Sequence, residues 1–411
     1  MSDDAPHEVY RQVLSTATKT YAVSDDPPVF VRGEGAWLTD TQGKRYLDFA
    51  CGSGSTSLGH NHPAIMAAVR AQLDTGITHI GPHFHTAAQA RLYRLLRTVL
   101  PDELSRFHPA TNGTEATETA LKAAMHFTGR RAFLAFDGGY HGRTLGALAI
   151  SAARGPNETL GPFAPEAVFL PYGCAEAELT AALETAPPLA GIIVEPVQAT
   201  SGMIVPPDGF LTMLETHAKS HRIPLILDEV FTGFGRTGTL FAFERENVAP
   251  DLLILGKAFG GGFPGGLVAG RDGIMTRWSA GTQSSTFQLH PVTAAAAKAS
   301  LEFMLEQDVV ARVRQIEQWM IAHGAGLKEY GCVVNFRGAG AMFGVEIVDM
   351  DGAPDQRTTK SIRASALERG LITWECGTSG HMIGLVPPFT VTEEELALAF
   401  EILCQTFVDA A

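Results

Sequence analysis

Four short apolar runs, RAFLAFDGGYHG, GIIVEPVQ, IPLILDEV and PDLLILGK, recur between residues 131 and 257, with helical patterning between them. Runs of this kind belong to strands buried on both faces, because a half-exposed strand would alternate apolar and polar residues. Strands spaced by helices assemble into a mostly parallel sheet, so the chain is expected to have an α/β core. Each run ends near a polar residue: Asp137, Glu195, Asp228 and Lys257. Ligands of open parallel sheets bind beyond the carboxyl ends of the strands, so these four are expected to converge on one crevice. Asp228 and Lys257 follow successive runs at a spacing that fits a βαβ step, which would make them neighbours.

The flanks read differently. VFVRGEGAWLTDTQGKRYLDF forms a short hairpin turning at Thr41 to Gly43, and near the other end FGVEIVD and HMIGLVP are strand-like segments among helices. The expected division is a large domain over residues 56–305 and a smaller α+β domain built from both ends, residues 1–55 and 306–411. A chain of 411 residues with 45% hydrophobic residues can fill both cores. A net charge of -13 with no basic stripe excludes a nucleic-acid partner. The opening MSDDAPHEVYRQV carries acids where a targeting signal carries bases, and no apolar run approaches the ~20 residues of a membrane span, so a cytoplasmic location is expected. Five scattered cysteines without a CxxC pair point to reduced thiols rather than a disulfide framework or a zinc ribbon.

The stretch ILGKAFGGGFPGG sets Lys257 between an apolar run and a glycine-rich one. A lysine losing hydration there drops in pKa, and its neutral amine can attack a carbonyl to form an imine. In TNGTEATETALKAA, Gly113 and Thr114 open a helical run whose N–H groups and dipole favour an anion such as phosphate. Tyr140, in DGGYHG, is placed to stack on a flat heteroaromatic ring. Each feature has a plainer reading when taken singly: a surface lysine in a glycine loop, an N-cap at Asn112 or Thr114, a packing tyrosine. The set is what counts, because an imine-forming lysine, an acid, a stacking aromatic and a phosphate cradle are the parts that hold pyridoxal phosphate. His60, His62, His79, His83 and His85 cluster at metal-like spacings, but no nearby carboxylate or thiol completes a ligand set, and no metal site is expected.

These residues resemble the class III pyridoxal-phosphate-dependent aminotransferases of fold type I. The resemblance runs nearly end to end, through GEGAWLTDTQGKRYLDFACG, LGHNHP, NGTEATETALKAA, YHGRT, VEPVQ, PPDGFL, LILDEVFTGFGRTG, PDLLILGKAFGGGFPGG and VPPFTVTEEEL. It implies that Lys257 is the lysine that links to the cofactor and Asp228 the partner of its pyridine nitrogen. It also implies that Val230 and Tyr140 cover the two ring faces and that Gly113 and Thr114 bind the phosphate. Thr286, in GTQSSTF, matches a threonine that reaches the phosphate of the neighbouring subunit, which implies a homodimer with active sites at the interface. The implied partners are a small-molecule amine and a keto-acid acceptor.

Two departures narrow the substrate. Members acting on amino acids carry EPxQGE and IRxxxPL, whose Glu and Arg form a gate and whose Arg pairs with a substrate carboxylate. Here EPVQAT places Thr200 at the Glu position and MIGLVPPF places Gly384 at the Arg position, where glycine is expected to leave room. The expected substrate is therefore an amine without a carboxylate at that subsite: a diamine, an amino sugar or aminocyclitol, or another bulky amine. Arg337 is a candidate to receive an acceptor's carboxylate instead, beside a structural role. The alternative activity is a cofactor-dependent racemase or epimerase at an amine-bearing carbon, and a third reading is a binding protein that has lost catalysis. Phe231 stands where many relatives have Gln near the cofactor's phenolic oxygen, so that hydrogen bond is expected to be absent or supplied elsewhere.

Overall fold

The computed structural model describes residues 6–18, 24, 27–152, 157 and 160–410. The first five residues of the acidic opening lie outside them. Near the N-terminus, β1 (Phe30–Glu34), β2 (Trp37–Asp40) and β3 (Arg45–Asp48) form an antiparallel meander. Its β2–β3 turn is fixed by Asp40, whose Oδ1 accepts from the N–H groups of Gln42 and Lys44, both at 2.9 Å.

The central sheet has seven strands: β4 (Arg106–Ala110), β5 (Ala132–Phe136), β6 (Ala167–Leu170), β7 (Leu189–Val194), β8 (Leu225–Asp228), β9 (Leu252–Leu255) and β10 (Gly266–Gly270). Their order is β4-β10-β9-β8-β7-β5-β6. The pairs from β6 through β5, β7 and β8 to β9 are parallel, and β10 alone runs against both of its neighbours. The expected α/β architecture with a mostly parallel sheet is the one observed. Every residue of β5, β7, β8 and β9 is buried, as expected for runs without alternation.

The connection from β8 to β9 differs from the expected βαβ step. It contains no α-helix, only turns and the short 3-10 helix Ala242–Arg245. The reason lies in VFTGFGRTGTLF, where Gly235 and Gly238 adopt positive φ (93° and 85°) and Phe234 does so too (59°), which stops a helix from propagating. Glu229 anchors the detour by accepting from the N–H groups of Ala242 at 2.7 Å and Phe243 at 2.9 Å.

Toward the C-terminus come β11 (Val333–Ala339), β12 (Met342–Ile347), β13 (Leu371–Ile372), β14 (Trp374–Cys376) and β15 (Met382–Leu385). Four of them form a sheet in the order β11-β12-β15-β14, while β13 crosses to the meander and pairs in parallel with β3, Leu371 opposite Leu47. The two ends of the chain thus share a sheet. Among the described residues no helix is long and apolar enough to cross a membrane, and all five cysteines are free.

Candidate active site

Strand direction assembles the site. Because β5, β7, β8 and β9 are parallel, their carboxyl ends open on one edge, and His141, Glu195, Asp228 and Lys257 follow from them. His141 Nδ1 lies 2.7 Å from Asp228 Oδ2, and both side chains are buried. Glu195 accepts a hydrogen bond from the Tyr140 N–H at 2.9 Å, which fixes the turn carrying Tyr140 and His141. Asp137 does not join: it is exposed, and the convergence expected of four strand-end residues is made by three of them plus His141. Glu229, one residue past Asp228, points the other way along the extended backbone and holds the β8–β9 detour.

Electrostatics couples these groups. Burial lowers the Lys257 ammonium to about 8, against the opposing pull of Glu195 and Asp228, and Arg236 lowers it further. Burial also raises Glu195 to about 7, although His141 and Lys257 work against the rise. Burial disfavours charge on His141, yet the hydrogen bond and charge of Asp228, with Glu195 behind them, raise it above the ordinary imidazole value. Lys257 itself has a left-handed backbone, φ 46°, and its Nζ lies 4.0 Å above the centroid of the Phe231 ring.

A second wall is the start of helix Gly113–Thr128. Asn112 is the N-cap, its Oδ1 accepting from Glu115 N at 3.0 Å. The first N–H groups of a helix have no intrahelical partner, so those of Gly113 and Thr114 face outward for an anion. Thr114 Oγ1 lies 2.9 Å from Thr144 Oγ1, and a Cβ at Gly142 would collide with it. Val230 locks this wall to the strand ends, because a Cβ at Gly113 would come within 2.9 Å of its Cγ1 and one at Gly256 within 3.2 Å. Five of the seven expected site residues, Gly113, Tyr140, Asp228, Val230 and Lys257, are thereby linked through contacts or charge, and Thr114 adjoins them. Thr286 stands apart: it is exposed, and its carbonyl accepts from His79 Nε2 at 2.6 Å.

The substrate side corrects one expectation. Gly384, in β15, does not leave open space, since a Cβ there would lie 3.1 Å from Trp374 Cε3. The Trp374 ring, presented by β14, covers that position and stacks on Phe231 with centroids 5.2 Å apart and planes 25° from parallel. Arg337 is committed elsewhere: it donates to Gly202 O at 2.9 Å and pairs with Glu346, which makes its role structural.

Sequence reasoning missed His141, Arg236 and Trp374. His141 was adjacent to Tyr140 in DGGYHG, so an imidazole following a strand-end aromatic was the available signal. Arg236 is fully buried and donates to Pro387 O at 2.7 Å, Ser57 Oγ at 2.9 Å and Ala341 O at 3.0 Å, joining three distant segments. Nothing in GFGRTG forecasts that. Trp374 could be found only once β14 was known to pair with β15, Trp374 opposite Gly384.

The donor set fits pyridoxal phosphate part by part: an amine lowered toward neutrality for an aldehyde, a buried carboxylate for a basic ring nitrogen, and an open helix N-terminus for a phosphate. Sheet order and strand-end chemistry together define the class, a pyridoxal-phosphate-dependent enzyme of fold type I. The family model for class III aminotransferases matches residues 20–407. The chain is 37% identical to the acetylornithine aminotransferase of Methanopyrus kandleri, covering 91% of this chain and 92% of that one. It is 34% identical to the 2-aminoadipate transaminase of Pseudomonas putida, over 93% and 96% of the two chains. A solved (S)-enantioselective omega-transaminase from Thermomicrobium roseum superposes with a TM-score of 0.91 at 28% identity, covering 100% of each chain. The chain belongs to the class III aminotransferases, and its cofactor is pyridoxal phosphate.

Proposed function

We propose that this aminotransferase takes its amino group from an amine lacking a carboxylate at the subsite where relatives carry arginine. The observation that carries the reading is the Trp374 ring over Gly384, with Thr200 at the position of the gate glutamate. Acetylornithine and 2-aminoadipate, for which two relatives are named, both bear carboxylates. Here glycine with the Trp374 side chain against it stands in place of the cation that would pair with one, and Arg337 is already engaged by Glu346.

When bound, pyridoxal phosphate supplies an electrophilic aldehyde and a protonated ring that draws electrons from a substrate carbon. Asp228, its Oδ2 held by His141 and its Oδ1 accepting from the Val230 N–H at 3.0 Å, would keep the ring nitrogen's proton in place, and the N–H groups of Gly113 and Thr114 would hold the phosphate. Val230 and Tyr140 would flank the ring. Lys257 Nζ, lowered by burial to about 8, would bind the cofactor and then take and return the substrate's proton. Thr286, exposed beside the exposed Phe287, would reach the phosphate of a second subunit in a homodimer. Residues 1–55 and 306–411 would form the small domain around a core of 56–305, a division supported by the β3–β13 pairing.

Steady-state kinetics with pyruvate or 2-oxoglutarate, comparing 4-aminobutyrate, ornithine and glutamate with putrescine and amino sugars, tests the proposal. The carboxylate-free amines are expected to have the higher kcat/KM, and a strong preference for the first three would overturn it. Inversion of a chiral amine without any keto acid, accompanied by uptake of solvent deuterium, would instead identify an isomerase.

A further inference from the structure

We infer that the amine accepted by this enzyme has an uncharged, apolar body, and that Phe231 and Trp374 select it. The inference rests on the carboxylate-free reading above and narrows it to one chemical class. Its starting point is the position of Lys257 Nζ, 4.0 Å over the Phe231 ring. A substrate carbon must come within bonding approach of the atoms this nitrogen serves, so the groups attached to that carbon reach the same ring. Phe231 is therefore more than core packing, because its face is turned to the reacting nitrogen.

The ring is fixed from two sides. A Cβ at Gly54 would lie 3.1 Å from Phe231 Cζ, so the glycine backbone backs the ring closely, and Trp374 stacks on it at 5.2 Å. Both aromatics are nearly buried, 4% and 6% exposed, and belong to one cluster with Met203, Met342 and Met382. Aromatic faces and thioethers adapt to apolar shapes, offer a carboxylate no partner, and give an ammonium only a cation–π contact in exchange for its hydration.

The cations around this cluster are engaged: Arg236 donates to Pro387 O, Ser57 Oγ and Ala341 O, and two arginines are paired with acids. Arg337 pairs with Glu346, and Arg363 pairs with Glu375 at 2.6 Å. A carboxylate on the substrate's far end would need a cation that Gly384 cannot supply, and a second ammonium would need an acid already engaged. Either charge would give up its hydration beside aromatic rings backed by apolar core, whereas a hydrocarbon body gains from the same transfer.

The test uses the holoenzyme and three amines of similar length: hexylamine, 1,5-diaminopentane and 5-aminopentanoate. Two rates are read for each, kcat/KM with saturating pyruvate and exchange of the proton on the amine-bearing carbon with deuterated solvent. The exchange rate compares the amines even if no acceptor is used. Hexylamine is expected to lead each of the others by about 10²-fold, within the range for a pocket matched to hydrocarbon. Phe231→Gln is expected to raise the KM for hexylamine about tenfold while changing 1,5-diaminopentane less than about threefold. Trp374→Phe, which keeps a ring at the position, is expected to retain the order of the three amines. Preference for 1,5-diaminopentane over hexylamine, or near-equal rates for those two with 5-aminopentanoate far slower, would overturn the apolar inference and leave the carboxylate-free reading standing. Preference for 5-aminopentanoate would sink both.

Discussion

The two sides of the active site contrast in charge. At the strand ends, His141, Glu195, Asp228 and Lys257 hold ionisable side chains close enough to shift one another. On the other side Phe231 and Trp374 present two stacked rings, Trp374 lies against Gly384, and Thr200 stands in sequence where relatives carry the gate glutamate. The difference separates what the cofactor demands from what the substrate demands. Proton transfer and a protonated pyridine ring require the charged side whatever amine is used. Recognition of the amine is free to change, so the opposite side can lose its ion pair without loss of chemistry.

The strongest way to break this contrast is at Lys257. Lys257→Ala is expected to lower kcat by on the order of 10⁴-fold or more, since it removes both the attachment group and the proton carrier. Borohydride reduction followed by peptide mass spectrometry should tag Lys257 in the parent enzyme. Turnover surviving the substitution would refute the assignment. Asp228→Asn is expected to cost about 10²–10³-fold in kcat, as for other preorganised charge removed from a reacting centre. His141→Asn should cost less, about 10–100-fold, the loss of one hydrogen bond to a charged group. Comparable losses on the substrate side, in Phe231→Leu, would show that the two sides are not separable.

The double variant Trp374→Ala/Gly384→Arg sharpens the same division from the recognition side. It removes the ring over β15 and restores the missing cation, and kcat/KM for 5-aminopentanoate relative to hexylamine is expected to rise at least about tenfold. A circular dichroism spectrum and melting curve establish that the variant folds.

The smallest effect expected is a pH dependence. A lysine near 8 is about one-tenth neutral at pH 7 and about nine-tenths neutral at pH 9. Association of pyridoxal phosphate with cofactor-free enzyme, followed by absorbance, should therefore accelerate about tenfold over that range and level off above it. The sign follows from attack by the neutral amine. A rate still climbing tenfold per pH unit at pH 9 would mean that Lys257 titrates as an ordinary surface lysine.

Local chemistry made much of this legible in the sequence. Short unbroken apolar runs spaced by helical patterns fit strands covered on both faces, so β5, β7, β8 and β9 were readable, as was the placement of Asp228 and Lys257 at their ends. Asn112, Gly113 and Thr114 were readable as a helix start because capping acts over three or four residues. The β8–β9 detour was misjudged because length alone was weighed against the glycines of VFTGFGRTG.

The sequence by itself determined the buried strands and the helix start, since each depends on neighbours a few positions apart, while the roles expected of Lys257 and Asp228 came from a resemblance running along the whole chain. Tertiary structure alone decided that His141 meets Asp228, that Arg236 bridges Ser57, Ala341 and Pro387, and that Trp374 covers Gly384 and meets Phe231. Those contacts join segments far apart in the chain. Their partners are fixed by strand pairing and burial, which no local pattern of residues encodes.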